Sequence, residues 1–334
     1  MKRIELIAEI GVNHNGKMSI AKKLIKKASL AGADYAKFQI FKADNLATKK
    51  SKKANYQNIN LNKKISQYDM LKTYEISKNQ IKILNDYCLK NKIKFLASCF
   101  DLESLKLYSS FNNNCIKIPS GEITNLKLIE FAAKKFKKII ISTGMCNFSE
   151  IAEAVKVVKK YGLSKKNITL LQCTTDYPAS ENEANLNCME EFKKKFGTRV
   201  GYSDHTRGTI CGIVAASRGA DIIEKHFTLN KKFKGPDHKA SLDYDELKDF
   251  NNKIKMVKLI LGSKVKKVTF SEIKNIKLVR KGLYAKTKIL KGEIFTLKNV
   301  IAKRPLSGIP ANKLKDILGK KSRKKFQVDE KIQL

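Results

Sequence analysis

Histidine is scarce in this chain, with four in 334 residues, so each one marks a position where imidazole chemistry has to be weighed. No uninterrupted apolar run approaches the ~18–20 residues that a membrane-spanning helix needs. A globular protein with no membrane partner is therefore expected. The opening stretch "MKRIELIAEIGVNHNG" begins with basic and then apolar residues, as a secretory leader would. Glu5 and Glu9 interrupt that run and no small-residue cleavage site follows, so a first β-strand is expected instead. CxxC pairs are also missing. The seven cysteines (Cys88, Cys99, Cys115, Cys146, Cys173, Cys188 and Cys211) are scattered and odd in number, which points to free thiols in a reducing cytoplasm rather than a disulfide frame or zinc knot.

Acidic residues are outnumbered, 31 Asp and Glu against 69 Lys and Arg, for a formal net charge of +38. Such a balance raises nucleic acid as a partner. The lysines, however, are spread over helix-like stretches such as "AKKLIKKASL" and "EEFKKKF", and no recognition helix, zinc finger or aromatic-basic motif organises them. They read as solvated faces: no specific nucleic-acid partner is expected, only weak non-specific affinity for polyanions.

What the chain does contain is an alternation. Short β-branched runs at 4–10, 34–40, 93–98, 115–119, 138–143, 168–173, 199–203 and 221–227 are each followed by a helix-period segment. In residues 19–32, for example, Ile20, Leu24, Ile25 and Ala28 share one helical face and Gly32 closes it. Eight such units predict a (β/α)8 TIM barrel of the α/β class, whose active site lies at the C-terminal ends of the strands; an open doubly wound sheet is the competing fold. Past residue 262 the pattern changes to a charged connector and then short strands and turns around Pro305, Gly308 and Pro310. The expected organisation is a barrel over 1–265, a linker over 266–278 and a small β-rich domain over 279–334.

Polar residues fall where a barrel would use them. Glu9, Lys37, Gln39, Ser98, Lys117, Ser120, Ser142, Ser203, His205, Glu224 and His226 all stand at or just past a strand's C-terminal end. A lysine inside "YAKFQI" or "CIKIPSG" is costly unless it meets an anion or a cavity, and two at equivalent places point to an anionic ligand. The loops "IPSGEITN" and "ISTGM" add hydroxyls and backbone amides suited to phosphate or carboxylate. His205 and His226, on adjacent strands and flanked by Asp204 and Glu224, are candidate ligands for a divalent metal. The remaining histidines, His14 and His238, sit in Gly-rich loops that turn chemistry explains equally well.

The ordered set "AEIGVNHNG", "KFQ", "KIPSGE", "STGM", "CTTDYP", "GYSDHT", "EKHF", "GPDHKASL" and "KRPLSGI" resembles the sialic acid synthase family over essentially the whole chain. The wording "FKADN", "KKANYQ", "FDLES" and "GYSDHTRG" resembles its N,N'-diacetyllegionaminate branch more than the N-acetylneuraminate one. The resemblance implies a barrel followed by an antifreeze-like (SAF) domain and a head-to-tail homodimer with that domain swapped. It also implies a bound Mn2+ or Mg2+, and condensation of phosphoenolpyruvate with an N-acetylated mannose-type hexosamine to give a nonulosonic acid and phosphate. Matched motif by motif, His205 and His226 resemble the metal ligands. Lys37, Ser98, Lys117, Ser120, Ser142 and Ser203 resemble the phosphoenolpyruvate contacts, and Glu9, Gln39, Glu122, Tyr177, Glu224 and Asp237 fall on the sugar side. Arg304 resembles the residue that reaches into the partner's site to hold the acetamido group. Thr175 is a departure, since some relatives carry Asn there. The chemistry suits these residue types independently, with Glu224 or Glu9 placed to stabilise a cation at C2 and Lys117 to offset phosphate charge. Competing readings are a sister synthase that takes a phosphorylated aldose and, outside enzymology, a polyanion- or ice-binding protein.

Overall fold

The computed structural model describes residues 3–53 and 65–333; residues 54–57 of the "KKANYQ" stretch lie outside them. Eight parallel strands close into a barrel in sequence order: β1 (Glu5–Gly11), β2 (Tyr35–Ile40), β3 (Lys94–Cys99), β4 (Cys115–Ile118), β5 (Lys138–Ser142), β6 (Ile168–Cys173), β7 (Arg199–Asp204) and β8 (Ile222–His226). β1 pairs with both β2 and β8, so the sheet has no edge and the open doubly wound alternative is excluded.

Alternation along each strand separates two environments. On β1, Leu6, Ala8 and Ile10 face outward into the main core, where they meet Leu24, Ile25 and Ala28 of the helix Met18–Leu30. Glu5, Ile7 and Glu9 face the barrel axis. Ile7, Leu96, Ile140, Leu171 and Ile222 form a buried apolar layer across the interior, as expected for a packed barrel rather than a pore. On β7 a glycine is required: a Cβ at Gly201 would stand 2.2 Å from the Ile222 carbonyl oxygen. The helices are set locally. Asn147 caps Phe148–Lys160 by accepting from the Ser149 and Glu150 amides, worth ~1 kcal/mol, and Ile151, Ala154, Val155 and Val158 form the buried face.

The chain divides into two compact units, 1–262 and 263–334. In the second, β9 (Gly282–Ala285) pairs antiparallel with β10 (Val300–Lys303), over a core that includes Leu283, Ile289, Phe295, Ile317, Phe326 and Ile332. The stretch expected to be a linker instead carries the helix Phe270–Val279, which buries none of its residues and groups with the small unit.

Candidate active site

Because inward positions recur every second residue, the last one or two inward side chains of each strand collect at the C-terminal end of the barrel. The register makes this explicit: Glu9 lies beside Lys37 and His226, Ser98 beside Lys117, and Ser203 beside Glu224. These side chains line a cavity of about 310 Å³ at the C-terminal mouth of the barrel, together with Gln39, Ser120, Ser142, Thr175, Tyr177 and His205.

At its floor are two ammonium groups and two carboxylates, all buried. Lys37 Nζ donates to Ser98 Oγ at 2.8 Å and pairs with Glu9 at 3.0 Å and Glu224 at 3.4 Å. Lys117 Nζ donates to both carboxylate oxygens of Glu224 at 3.1 Å, and Ser203 Oγ donates to the same carboxylate at 3.1 Å. Burial pushes Glu224 up, but Lys117 and Lys37 outweigh it and bring the group down to about 2. Glu9 goes the other way: burial raises it against the pull of Lys37, and the charge of Glu224 adds to the rise. Burial lowers Lys117 beyond what Glu224 restores, whereas for Lys37 the two carboxylates outweigh burial and raise it. Charges held this dry are expensive, and perturbed groups clustered in a cleft mark a site for ligand or chemistry.

Around this floor runs a rim of hydroxyls. Ser142 Oγ is buried with no hydrogen-bond partner among the described residues. Ser120 Oγ accepts from the Gly144 amide at 3.0 Å, and a Cβ at Gly144 would meet Thr175 Oγ1 at 2.2 Å, so a larger residue there would displace the Thr175 side chain. That close approach draws the loops after β4, β5 and β6 together.

The imidazoles of His205 and His226 lie with ring centroids 5.5 Å apart, and the Tyr177 ring is 4.1 Å from the first and 5.4 Å from the second. His205 Nδ1 is 2.7 Å from the Thr174 carbonyl. A carbonyl can only accept, so Nδ1 carries the proton and Nε2 is left facing Ser203 at 3.3 Å, the second-sphere arrangement of metal-ligating histidines. His226 Nδ1 is buried without a hydrogen-bond partner among the described residues, 3.8 Å from Asp237 Oδ2. Burial, reinforced by His205 and Lys37, holds His226 well below its ordinary value and so in the neutral form that binds metal. Among the described residues no three His, Cys, Asp or Glu groups converge on one point. The donor set fits an ion that takes two imidazoles and keeps its other positions for water and substrate.

Asp237 lines a small adjoining cavity with Gln39, Tyr177 and His226, and burial followed by the charge of Glu9 drives it up to about 7. Glu122 is outside both cavity linings, its carboxylate accepting from Asn125 Nδ2 at 2.9 Å. Arg304 belongs to the small unit, is exposed, and pairs with no carboxylate of that unit among the described residues. His14 and His238 serve turns: His14 Nδ1 accepts from the Gly16 amide, and His238 bonds Thr228 and Asn15. Asp204 requires a correction. Expected beside the histidines, it faces away from the cavity and pairs with Lys225 at 3.0 Å, because it is one residue out of step with Ser203. Cys173 also lines the cavity without having been expected there, as do Gln67 and Met145, and its Sγ is 3.7 Å from His205 Nδ1. Its inward parity with Leu171 was the available signal.

With this geometry established, comparison with known proteins is specific. The NeuB family model matches residues 24–266 and the SAF domain model residues 280–333. The chain is 48% identical over 332 residues to the N,N'-diacetyllegionaminic acid synthase of Campylobacter jejuni, covering 99% of each chain. It is 40% identical over 316 residues to the Legionella pneumophila enzyme of the same name, covering 94% of this chain and 89% of that one. Among solved structures, the N-acetylneuraminic acid synthetase of Leptospira borgpetersenii superposes with a TM-score of 0.72 at 30% identity, covering 82% of this chain and 90% of that one. A closed barrel with two buried lysines at its mouth, followed in sequence by a SAF domain and matched across nearly its full length, makes this chain a member of the NeuB family.

Proposed function

We propose that the protein condenses phosphoenolpyruvate with 2,4-diacetamido-2,4,6-trideoxymannose and water, giving N,N'-diacetyllegionaminate and phosphate. The observation that carries the reading is the pair of wholly buried lysines, Lys37 and Lys117, opening onto one cavity beneath a rim of serines. Such a floor suits a small ligand carrying both a carboxylate and a phosphate. The 48% identity to a diacetyllegionaminic acid synthase supports the choice of sugar.

Lys37 and Lys117 bind the anionic groups of phosphoenolpyruvate, and Ser98, Ser120, Ser142 and Ser203 donate to them. C3 of the enol phosphate forms a bond to C1 of the open-chain sugar as the carbonyl π pair moves onto the C1 oxygen, leaving a cation at C2; the proton released when water adds at C2 balances the one that this oxygen takes up. Glu224, ionised and aimed by Lys117 and Ser203, stabilises that cation. Water adds at C2, and phosphate departs with the bridging oxygen while Lys117 offsets its charge. Gln39, Tyr177, Thr175 and Asp237 orient the sugar, with the Glu9 carboxyl on the same side of the cavity. His205 and His226 would hold a divalent ion, Mn2+ or Mg2+, which when bound supplies Lewis-acid polarisation of the sugar's carbonyl. The working enzyme is a homodimer in which the exposed Arg304 of the partner subunit reaches the acetamido group. Seven free thiols support a cytoplasmic location.

The test is a panel of acetamido sugars incubated with phosphoenolpyruvate, reading phosphate and nonulosonic acid together. Stoichiometric release of both with the diacetamido sugar is expected. Turnover only with a phosphorylated aldose would replace this reading.

A further inference from the structure

β7 and β8 break the outward pattern of the barrel. Outward positions such as Ala36, Ile116 and Leu170 are apolar, yet Asp204 and Lys225 are fully buried and charged. Among the described strand residues of the barrel, no other outward-facing charged side chain is buried. Room is kept for them: a Cβ at Gly212 would come within 3.3 Å of Asp204 Oδ2 and 2.5 Å of the Phe250 ring.

A dry ion pair is a poor source of stability, because desolvation cancels most of the attraction. Its hydrogen bonds suggest another role. Asp204 Oδ1 accepts from the Thr206 amide at 2.9 Å and the Thr206 hydroxyl at 2.7 Å. Lys225 Nζ donates to the Thr206 carbonyl at 2.5 Å and faces Asp204 Oδ2 at 3.0 Å. Both backbone groups of Thr206 are thereby tied to the pair, and the residue enclosed between Asp204 and Thr206 is His205. On β8 the lysine stands between Glu224 and His226, and Asp204 and Lys225 are direct register partners. We infer that the Asp204–Lys225 pair is a positioning device, fixing the separation and orientation of His205 and His226 from outside the barrel. Neither residue touches the cavity, so neither is catalytic. The inference rests on the reading of the two histidines as the ion-holding groups.

The test is the double variant Asp204→Asn/Lys225→Met, which leaves no lone buried charge and keeps an acceptor for Thr206. It should fold with a Tm within a few degrees of the parent. Its Mn2+ affinity, read from free Mn2+ by electron paramagnetic resonance, should fall ~10- to 100-fold. At saturating Mn2+ kcat should fall about tenfold or more, with the KM for phosphoenolpyruvate within about threefold. A folded double variant with parental Mn2+ affinity and kcat overturns the inference. If the double variant does not fold, Asp204→Glu, which keeps both charges but lengthens one arm, decides by the same readings. Failure of both to fold assigns the pair a purely structural role and also overturns it. A parent protein that binds no Mn2+ defeats the metal reading separately, and kcat at saturating substrates then decides the positioning role.

Discussion

Glu5 and Glu9 stand on the same strand and the same face of it, separated only by Ile7, and meet opposite surroundings. At the N-terminal end of the barrel Glu5 accepts from Arg199 at 2.8 Å and from the Tyr35 hydroxyl at 3.1 Å, with about a fifth of its side chain still exposed. Burial pushes it up, but Arg199 and Tyr35 outweigh that and hold it below the usual carboxylate range. At the C-terminal end Glu9 is buried outright, shares Lys37 with a second carboxylate, and is pushed up. One end is a part-solvated ion pair. The other concentrates four charges in a dry cavity where attraction and desolvation nearly cancel. The apolar layer of Ile7, Leu96, Ile140, Leu171 and Ile222 keeps them apart. The part-exposed pair ties β1 to β7, whereas the dry cluster lines the cavity.

The most severe break of that contrast removes a mouth pair whole. Lys117→Met/Glu224→Leu should abolish turnover, by ~10³-fold or more, while Tm stays unchanged or rises, since a dry pair replaced by apolar groups is neutral or stabilising. A large fall in Tm would place the pair among the groups that hold the barrel. Next in size, His205→Ala should cost ~10²- to 10³-fold in kcat with an intact circular dichroism spectrum, and chelation of the parent should be reversed by Mn2+ or Mg2+. Full activity of the variant in chelator would remove the metal from the account.

Arg304→Ala should lower kcat/KM for the sugar by about 10- to 100-fold, the loss of one charge-assisted hydrogen bond of ~1.5–3 kcal/mol, with the KM for phosphoenolpyruvate unchanged. Mixing it with Lys117→Ala under verified subunit exchange should restore activity, because some heterodimers then pair an intact mouth with an intact partner arginine. No restoration would confine the arginine to its own chain.

The smallest effect belongs to the opposite end. Arg199→Met should cost ~1 kcal/mol, modest because the pair is part-solvated, and leave kcat unchanged. The sign of its pH dependence follows from Glu5. A carboxylate held below its unfolded value of ~4.3 contributes stability that is complete above that pH and is lost as pH falls through the folded value. The Tm gap between parent and variant should therefore be open at pH 7 and close in acid. A gap that widened in acid would mean that Glu5 is not depressed.

Much of this contrast was legible in the sequence, because a charged residue inside a β-branched run has few structural uses. Lys37 and Lys117 declared themselves that way, and the eight strands matched their expected bounds to within two residues. The parts that were not legible have physical reasons. The helix Phe270–Val279 buries no face, so its residues carry no amphipathic period to read. Cys173 resembles an apolar strand residue until its parity places it inward. Asp204 adjoins His205 in sequence, and only the alternation of β7 turns its side chain outward to Lys225. Arg304 stands in a loop-rich stretch whose local pattern names no target.

If the buried lysines hold phosphoenolpyruvate for the proposed condensation, its carbon–oxygen bond is the one that breaks. Phosphoenolpyruvate labelled with ¹⁸O at the bridging position, turned over with the diacetamido sugar, should deliver the label to inorganic phosphate. Label retained in the nonulosonic acid would mean cleavage between phosphorus and oxygen, and would contradict the roles given to Glu224 and Lys117.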